Sequence, residues 1–175
     1  MRAVSAGLVL LATALLGADS GAGVHWTVPS NWKSEGERPM RLATYQVPPA
    51  AGDQAGGECA VYYFGQGQGG GVEANIDRWI GQFQQANGKA SKDVAKVEKR
   101  TLHGLKVTTV DVSGTYNGMG GPSAPAGPPK QSYHLLGAIV EGPQGSVFFK
   151  FTGPVKTVAQ NQAAFEKILS TLSIQ

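Results

Sequence analysis

A run of apolar residues with helical spacing is the most regular pattern in the chain. Its members recur at i, i+4, i+7, i+8 and i+11, and at about 100° per residue they form a single stripe: Val72, Ile76, Trp79, Ile80 and Phe83. The pair Asn87-Gly88 then supplies a left-handed stop. We therefore predict an amphipathic helix that begins at Val72, extends to Ala86 and packs against a sheet.

A second, polar stripe runs along the flank of this predicted helix. Asn75, Arg78, Gln82 and Gln85 recur at i, i+3, i+7 and i+10. Arg78, with Asn75 and Gln82 one turn away on either side, is suited to hold a carboxylate or a phosphate in a bidentate grip. The alternative is that Arg78 binds loop carbonyls or pairs with an internal acid. Asn75, Arg78 and Gln82 are thus candidate ligand-binding residues.

Alternating or β-rich runs bounded by turn residues predict strands on both sides of this helix. Two runs are joined by His103-Gly104, the length of a tight hairpin turn, and two more by the tetrapeptide at 142–145. The predicted strands cover residues 24–28, 38–47, 59–64, 94–102, 105–113, 132–141 and 146–152. Because hairpins join neighbouring antiparallel strands, the sheet is predicted to be largely antiparallel.

The last of these strands contains a lysine among three phenylalanines. The run Val147-Phe148-Phe149-Lys150-Phe151 is typical of a central strand that is covered on both faces. In such a strand Lys150 is a candidate site residue, because a buried ammonium needs a partner. The alternative is a lysine at a sheet edge whose side chain extends outward into water.

A second helix is predicted at the C-terminal end. Pro154 precedes it, and Thr157 and Gln160 match the capping box T-x-x-Q. Its apolar stripe consists of Phe165, Ile168, Leu169 and Leu172. The whole chain therefore predicts an α+β fold, with a largely antiparallel sheet flanked by helices.

The order of these elements resembles a known fold. An opening W-x-x-P-x-x-W turn, a helix after the third strand, two successive hairpins and a C-terminal helix are similar to the PsbP-like α/β/α sandwich. Photosystem extrinsic proteins, the Ran-binding Mog proteins and many exported bacterial proteins share that fold. The segments G-G-V-E-A-N-I-D-R-W-I-G-Q-F and F-F-K-F-T-G-P also resemble an uncharacterised group of exported bacterial proteins. The resemblance implies a non-catalytic binding or assembly module, and it supplies no catalytic residues.

The first residues have the pattern of a secretory signal peptide. Met1 and Arg2 are followed by an apolar run from Ala3 to Leu16, which is too short to span a membrane. Small residues allow cleavage after Ser20 or Ala22. We therefore expect a signal peptide at 1–22, a single domain at 23–175 without an integral membrane segment, and a periplasmic or secreted location.

Within that domain, residues 115–130 break all periodicity and carry many glycines and prolines. A loop of this length inside a compact domain is usually functional or disordered. With Tyr116 and Met119 it is a further candidate for contact with a partner, and disorder is the alternative.

Composition and charge exclude several classes of function. Fifteen Lys and Arg against twelve Asp and Glu give only a mild positive charge, so no nucleic-acid partner is expected. The lysines and arginine between residues 89 and 106 predict either weak attraction to anionic surfaces or a solvated edge. Cys59 is the only cysteine, which excludes an internal disulfide and favours an inert buried thiol over a reactive one.

A glycine motif and the three histidines are further candidate sites. Gly65-x-Gly67-x-x-Gly70 follows a strand and opens a helix, as a dinucleotide fingerprint does, but the next segments are hairpins rather than βαβ units. We expect the turn to permit a sharp bend, with the amides at Gly67 and Gly70 available to an anion. The three histidines are scattered over the chain without metal-ligand spacing, so neither a metal nor a cofactor is predicted.

Three functions remain, in this order. The first is an exported, non-catalytic binding or assembly module that meets an unknown protein partner in the cell envelope or outside the cell. The second is a binder of a small ligand or anion, centred on Arg78 and the Gly65–Gly71 turn. A hydrolase is third, because no nucleophile motif such as G-x-S-x-G is present.

Overall fold

The computed structural model describes residues 17–36, 38–118 and 127–175. Two helices, α1 (Val72–Ile80) and α2 (Val155–Ser170), and a short 3₁₀ helix, Ser91–Asp93, accompany the strands. The strands are, in chain order, β1 (Gly17–Gly21), β2 (Val24–Val28), β3 (Lys33–Ser34), β4 (Arg41–Val47), β5 (Gly57–Tyr63), β6 (Phe83–Gln84), β7 (Lys96–Leu102), β8 (Leu105–Tyr116), β9 (Lys130–Gly142), β10 (Gly145–Pro154) and β11 (Ser173–Ile174).

One large sheet dominates the fold. Its strand order is β3-β4-β5-β10-β9-β8-β6, with β7 also paired to β8, and every pairing in it is antiparallel. Strands β1, β2 and β11 form a small second sheet. Both predicted hairpins, β7–β8 and β9–β10, are present. The α+β fold with a largely antiparallel sheet is thereby confirmed.

The two helices lie on opposite faces of the large sheet and cover separate cores. Neighbouring residues of β10 show this division, because successive side chains of a strand point to opposite faces. Phe149 and Phe151 pack in the core that contains Phe165 and Leu169 of α2, whereas Phe148 packs in the core that contains Trp79 of α1. Strand β10 is therefore central and covered on both faces, as its sequence predicts.

Helix α1 is shorter than predicted. It ends at Ile80, and the amide of Gly81 donates to the carbonyl of Asp77 at 2.9 Å. The predicted extension to Ala86 is wrong, because Phe83 and Gln84 leave the helix and pair with the end of β8 as β6. Phe83 remains buried in the α1 core, so one apolar stripe serves two elements.

The strand that ends at Tyr116 also changes the predicted loop. Residues 115–130 were expected to be irregular throughout, but β8 continues to Tyr116 and β9 begins at Lys130. Tyr116 is thus part of the sheet, where it faces Lys130 in register. Met119 lies outside the described residues.

The capping box predicted for the C-terminal helix does not form. Pro154 is the N-cap residue of α2, so Thr157 lies inside the first turn. The Thr157 hydroxyl donates to the Asp53 carboxylate at 2.7 Å and accepts from the amide of Ala50 at 3.0 Å. Thr157 therefore ties the 50–53 loop to the helix, while the predicted apolar stripe from Phe165 to Leu172 is buried.

The predicted signal segment lies mostly outside the described residues. Residues 1–16 are not described, but 17–21 form β1, which pairs with β2 from Gly17↔Val28 to Gly21↔Val24. Across the part of the chain that the structure describes, no helix has both the length and the apolar character needed to cross a bilayer.

Candidate functional site

Lys150 is the most unusual residue of the large sheet. It lies on the α1 face of central strand β10, where Ala60 of β5 and Gly137 of β9 are its partners in register. Both neighbours are small, and the Trp79 ring covers Gly137. Because small residues flank it, the half-buried lysine side chain fits on a face that otherwise carries apolar and aromatic groups.

The Lys150 ammonium binds only neutral groups among the described residues. It donates to Gln82 Oε1 at 2.7 Å and to the Tyr116 hydroxyl at 3.2 Å, and it lies 5.5 Å from the centre of the Tyr116 ring. Burial and, to a smaller extent, the nearby charges of Arg78 and Arg41 lower the pKa of Lys150 to about 8, against the opposing charge of Glu58. The ammonium thus has hydrogen-bond partners but no carboxylate in salt-bridge contact.

Gln82 is buried beside this ammonium, and only one of its two side-chain polar atoms has a hydrogen-bond partner. Its side chain is held between the end of α1 and β6, and 5% of the residue is exposed. Gln82 Oε1 accepts from Lys150, whereas Gln82 Nε2 is buried without a hydrogen-bond partner. A buried donor of this kind costs free energy unless another group accepts from it. The amide therefore offers an unused donor next to the lysine.

Arg78 and Asn75 form a second pair one turn away. Buried Asn75 uses its Nδ2 to donate to the carbonyls of Gly69 and Gly71, at 2.8 and 2.9 Å, which fixes the glycine turn to α1. Arg78 Nη2 donates to Asn75 Oδ1. Arg78 itself is exposed on the helix surface. Asn75 thus orients Arg78, and the guanidinium keeps further donors free for a ligand.

The glycine turn plays a structural part in this arrangement. Gly67 and Gly70 both have positive φ angles, of 70° and 81°, in the left-handed region that favours glycine. A Cβ atom at Gly70 would lie 3.5 Å from Asn75 Nδ2, whereas one at Gly67 would meet nothing within 4 Å. Gly70 therefore borders the Asn75 and Arg78 pair, and Gly67 faces open space.

Strands β4 and β5 contribute residues that the sequence did not single out. Arg41 Nη1 lies 3.0 Å from Glu58 Oε1, and the Arg41 guanidinium lies 5.2 Å from the centre of the Tyr62 ring. Burial raises the pKa of Tyr62, and burial raises the pKa of Tyr116 to about 12, so both phenols stay protonated at neutral pH. The sequence does indicate that Tyr62 and Glu58 share a face of β5 with Ala60. This becomes informative about a site only once β5 is known to adjoin β10, which carries Lys150.

Together these residues form what we call the Lys150 cluster: Arg41, Glu58, Tyr62, Arg78, Gln82, Tyr116 and Lys150. The two arginines and the glutamate each influence the lysine electrostatically. The only carboxylate of the cluster, Glu58, pairs with Arg41. Lys150 and Arg78 consequently leave an excess of positive charge beside phenol and amide donors. This combination is suited to bind an anion.

Other chemistry-bearing residues are engaged elsewhere. Cys59 is fully buried, and burial raises the pKa of its thiol. Two lysines of the 89–106 segment form exposed ion pairs, Lys92 with Asp77 at 3.1 Å and Lys99 with Glu73 at 2.8 Å. Within residues 17–36, 38–118 and 127–175, no group of three or more His, Cys, Asp or Glu side chains is arranged to hold a metal ion.

Comparison with known proteins identifies the fold. No protein-family model and no curated protein matches the chain. Cyanobacterial PsbP (CyanoP) from Synechocystis sp. PCC 6803, whose solution structure is known, matches with a TM-score of 0.54 and 13% sequence identity, over 97% of this chain and 98% of that chain. The chain has a PsbP-like fold. At this identity the likeness concerns the fold alone.

A second solved structure is similar at a lower level. PA94 from Pseudomonas aeruginosa, a protein of unknown function, matches with a TM-score of 0.48 and 10% sequence identity, over 89% of this chain and 94% of that chain. The assignment of the PsbP-like fold rests on the cyanobacterial structure.

Proposed function

We propose that this protein is a non-catalytic binding module that holds an anionic ligand, a carboxylate or a phosphate, at the Lys150 cluster. The observation that carries the proposal is the set of hydrogen bonds of the Lys150 ammonium, which among the described residues binds only Gln82 Oε1 and the Tyr116 hydroxyl. A half-buried ammonium without a counter-charge is costly, and an anion supplies that charge. The donors around it indicate where the anion binds.

The ligand contacts follow from the unused donors of the cluster. Lys150 has three N–H donors, of which two point to Gln82 and Tyr116. Arg78 keeps most of its five donors free, and Gln82 Nε2 is unpaired. An anion placed between Lys150 and Arg78 accepts from both. Its charge also reduces the repulsion between the two cations.

The proposed place of action is the cell envelope or the exterior of the cell. The N-terminal pattern of Met1, Arg2 and the apolar run from Ala3 to Leu16 supports export. A periplasmic or secreted protein of this kind meets its ligand or its partner outside the cytoplasm.

Assembly with a protein partner is the second candidate function. Strand β7 supports it, because β7 pairs only with β8 among the described strands and its first four residues are exposed. Val97 on this strand is 45% exposed. An open sheet edge is a site where a partner can add a strand.

A thermal-shift titration tests the anion site. The purified protein is titrated with phosphate, sulfate, acetate and citrate at constant ionic strength, because salts also stabilise proteins non-specifically. A ligand at about 100 times its Kd adds roughly 2.7 kcal/mol to the free energy of unfolding. We expect at least one of these anions to stabilise the wild type and to lose most of this effect in Lys150→Met and in Arg78→Gln.

Lys156→Met is the matched control, because Lys156 is an exposed lysine outside the cluster. This variant should respond to anions as the wild type does, and circular dichroism establishes that every variant is folded. If no anion stabilises the wild type, or if Lys150→Met responds as strongly as Lys156→Met, the anion-binding function is wrong.

A further inference from the structure

The surroundings of Lys150 favour a neutral amine as well as an anion. The two groups that bind Lys150 Nζ, Gln82 Oε1 and the Tyr116 hydroxyl, can both accept a hydrogen bond without carrying charge. Two guanidinium groups, Arg78 and Arg41, repel a proton on this nitrogen, and the Glu58 carboxylate attracts it less strongly. An amine in such surroundings loses its proton more easily than an exposed lysine, and a neutral amine is a nucleophile.

The lysines that form ion pairs have surroundings that favour the protonated amine instead. Lys92 lies 3.1 Å from an Asp77 carboxylate oxygen, and Lys99 lies 2.8 Å from a Glu73 carboxylate oxygen. The hydrogen bond with Glu73 raises the pKa of Lys99, which keeps that amine protonated. Lys150 thus has surroundings better suited to nucleophilic attack than those of Lys92 and Lys99.

We propose that Lys150 is a carbonyl-reactive lysine, which captures a small 2-oxo acid as an imine while the carboxylate of that acid is held by Arg78. This inference rests on the proposed function, because the carboxylate of the 2-oxo acid occupies the anion site. Lys150 Nζ is then directed at the neighbouring carbonyl carbon. Lys150 is half-buried rather than fully enclosed.

The reaction balances without an oxidant or a reductant. The Lys150 nitrogen lone pair forms a bond to the carbonyl carbon, and the carbonyl π electrons move to the oxygen. This oxygen accepts a proton, for which the Tyr116 hydroxyl, 3.2 Å from Nζ, is the nearest donor. The nitrogen, which then carries two protons and a positive charge, returns one proton to the Tyr116 phenolate, and the neutral carbinolamine results. The nitrogen lone pair forms the C=N bond while the carbinolamine oxygen takes a proton from Tyr116 and leaves as water, and the last N–H proton returns to the Tyr116 phenolate. The product is an imine between Lys150 and the 2-oxo acid.

Reductive trapping tests the proposal. The full chain is incubated with glyoxylate, the smallest acid of this class, in the presence of sodium cyanoborohydride, which reduces the imine to a stable secondary amine. Intact mass and peptide mapping then locate the carboxymethyl adduct. We expect Lys150 to be labelled at least tenfold faster than Lys99, with a rate that rises as the pH approaches 8. Phosphate in excess should slow the labelling.

Two comparisons make the result specific. Propanal has the same reactive group without the carboxylate, so it should label Lys150 more slowly than glyoxylate does. Arg78→Gln should remove the preference for glyoxylate over propanal, measured as the ratio of the two labelling rates in the same variant. Lys150→Arg keeps the charge without the nucleophile, and it should lose the adduct at this position.

Labelling that follows the exposure of the ten lysines, without enrichment at Lys150, overturns the proposal. If phosphate stabilises the protein through Lys150 but glyoxylate does not label it, the anion site stands and the carbonyl chemistry is wrong. If propanal and glyoxylate label Lys150 equally, the role of Arg78 in selecting a 2-oxo acid is wrong.

Discussion

The Trp79 ring lies directly on the backbone of Gly137, so closely that a Cβ atom added at Gly137 would come within 2.6 Å of it. The same Cβ would lie 2.8 Å from a Val110 side-chain carbon. Gly137 is also the neighbour of Lys150 in β9. The contact therefore holds α1 on the sheet and leaves room beside it for the lysine.

Gly137→Ala should destabilise the protein, because the added methyl group overpacks the α1 core. Overpacking of this kind costs roughly 1–3 kcal/mol. Gly127→Ala is the matched control, since a Cβ at Gly127 meets nothing within 4 Å and no positive φ is required there. Urea unfolding of both variants measures the difference. Equal midpoints for Gly137→Ala and Gly127→Ala would contradict the close contact with Trp79.

The second prediction concerns the pH dependence that Lys150 confers on stability. In the folded protein burial lowers the pKa of Lys150 to about 8, below the ordinary value of 10.5. Between these values the unfolded chain binds more protons than the folded one, so stability rises with pH. Below pH 8 the full penalty of the buried charge is present. Lys150→Met should therefore be more stable than the wild type at pH 7, and this advantage should shrink as the pH rises toward 10.5.

Thermal unfolding at a series of pH values measures the difference in Tm between the two proteins. Lys156→Met is again the control, since an exposed lysine should give no such trend. A difference between Lys150→Met and the wild type that stays constant from pH 7 to pH 10 would show that the Lys150 amine is not held in an unfavourable environment.

The third prediction concerns a pair on the α2 face of the sheet. His134 Nε2 lies 2.7 Å from Asp111 Oδ1, and this hydrogen bond lowers the pKa of the Asp111 carboxyl while partial burial opposes the shift. The stabilisation is present above the ordinary pKa of Asp111, 3.8, and is lost as the pH falls through the folded value. Because Asp111 is partly exposed, we expect less than about 1 kcal/mol.

Asp111→Asn should therefore weaken the protein at pH 6 and should flatten the loss of stability below about pH 4. Asp93→Asn removes an exposed carboxylate without a partner of this kind and is the comparison. Acid unfolding followed by circular dichroism gives both curves. Identical acid transitions for the wild type and Asp111→Asn would exclude a stabilising role for the pair.

The fourth prediction concerns the N-terminal strand. The Tyr45 hydroxyl donates to the Asp19 carboxylate and accepts from Trp26 Nε1 at 2.9 Å. Tyr45 is almost fully buried, and burial followed by the bond to Asp19 raises the pKa of its phenol. A chain that starts at residue 23 lacks Asp19 and all of β1. It should be less stable than a chain that starts at residue 17, by at least the roughly 1–3 kcal/mol that an unpaired buried hydroxyl costs.

Asp19→Asn in the longer chain separates the hydrogen bond from the loss of the strand. This variant keeps an acceptor for Tyr45, so it should lose much less stability than the truncation. Equal stability of the chains that start at residues 17 and 23 would contradict a structural role for β1. Sequencing the N-terminus of the protein isolated from its cells would establish which of the two chains exists there.

The class of fold could be predicted from local patterns. Each alternating strand, each hairpin turn and each of the two apolar helical stripes is formed by residues that lie close together in the sequence. The end of α1 could not be predicted in this way. Phe83 satisfies the helical stripe, but it is buried equally well as part of β6, and the pairing with β8 at Tyr116 decides between the two. Thr157 likewise matched a capping box, while its hydroxyl was taken by Asp53, 104 residues away.

Prediction of the site was limited in the same way, because its contacts also join distant parts of the chain. Gln82 and Lys150 were each predicted as candidate residues, but for separate reasons and not as parts of one site. Their contact joins residues 68 positions apart and requires that the helix end before Gln82, so that its side chain turns toward the sheet. Arg41 and Tyr62 escaped prediction because their role depends on which strands adjoin β10.

The exposed edge at β7 carries a further consequence. Lys96, Glu98, Lys99 and Arg100 follow one another along it with only short gaps. A strand that joined this edge would have to displace water from each of these charges, which opposes indiscriminate edge-to-edge pairing. The protein is thereby protected against aggregation at its open edge, and a partner that does bind there must bring a matching pattern of opposite charges.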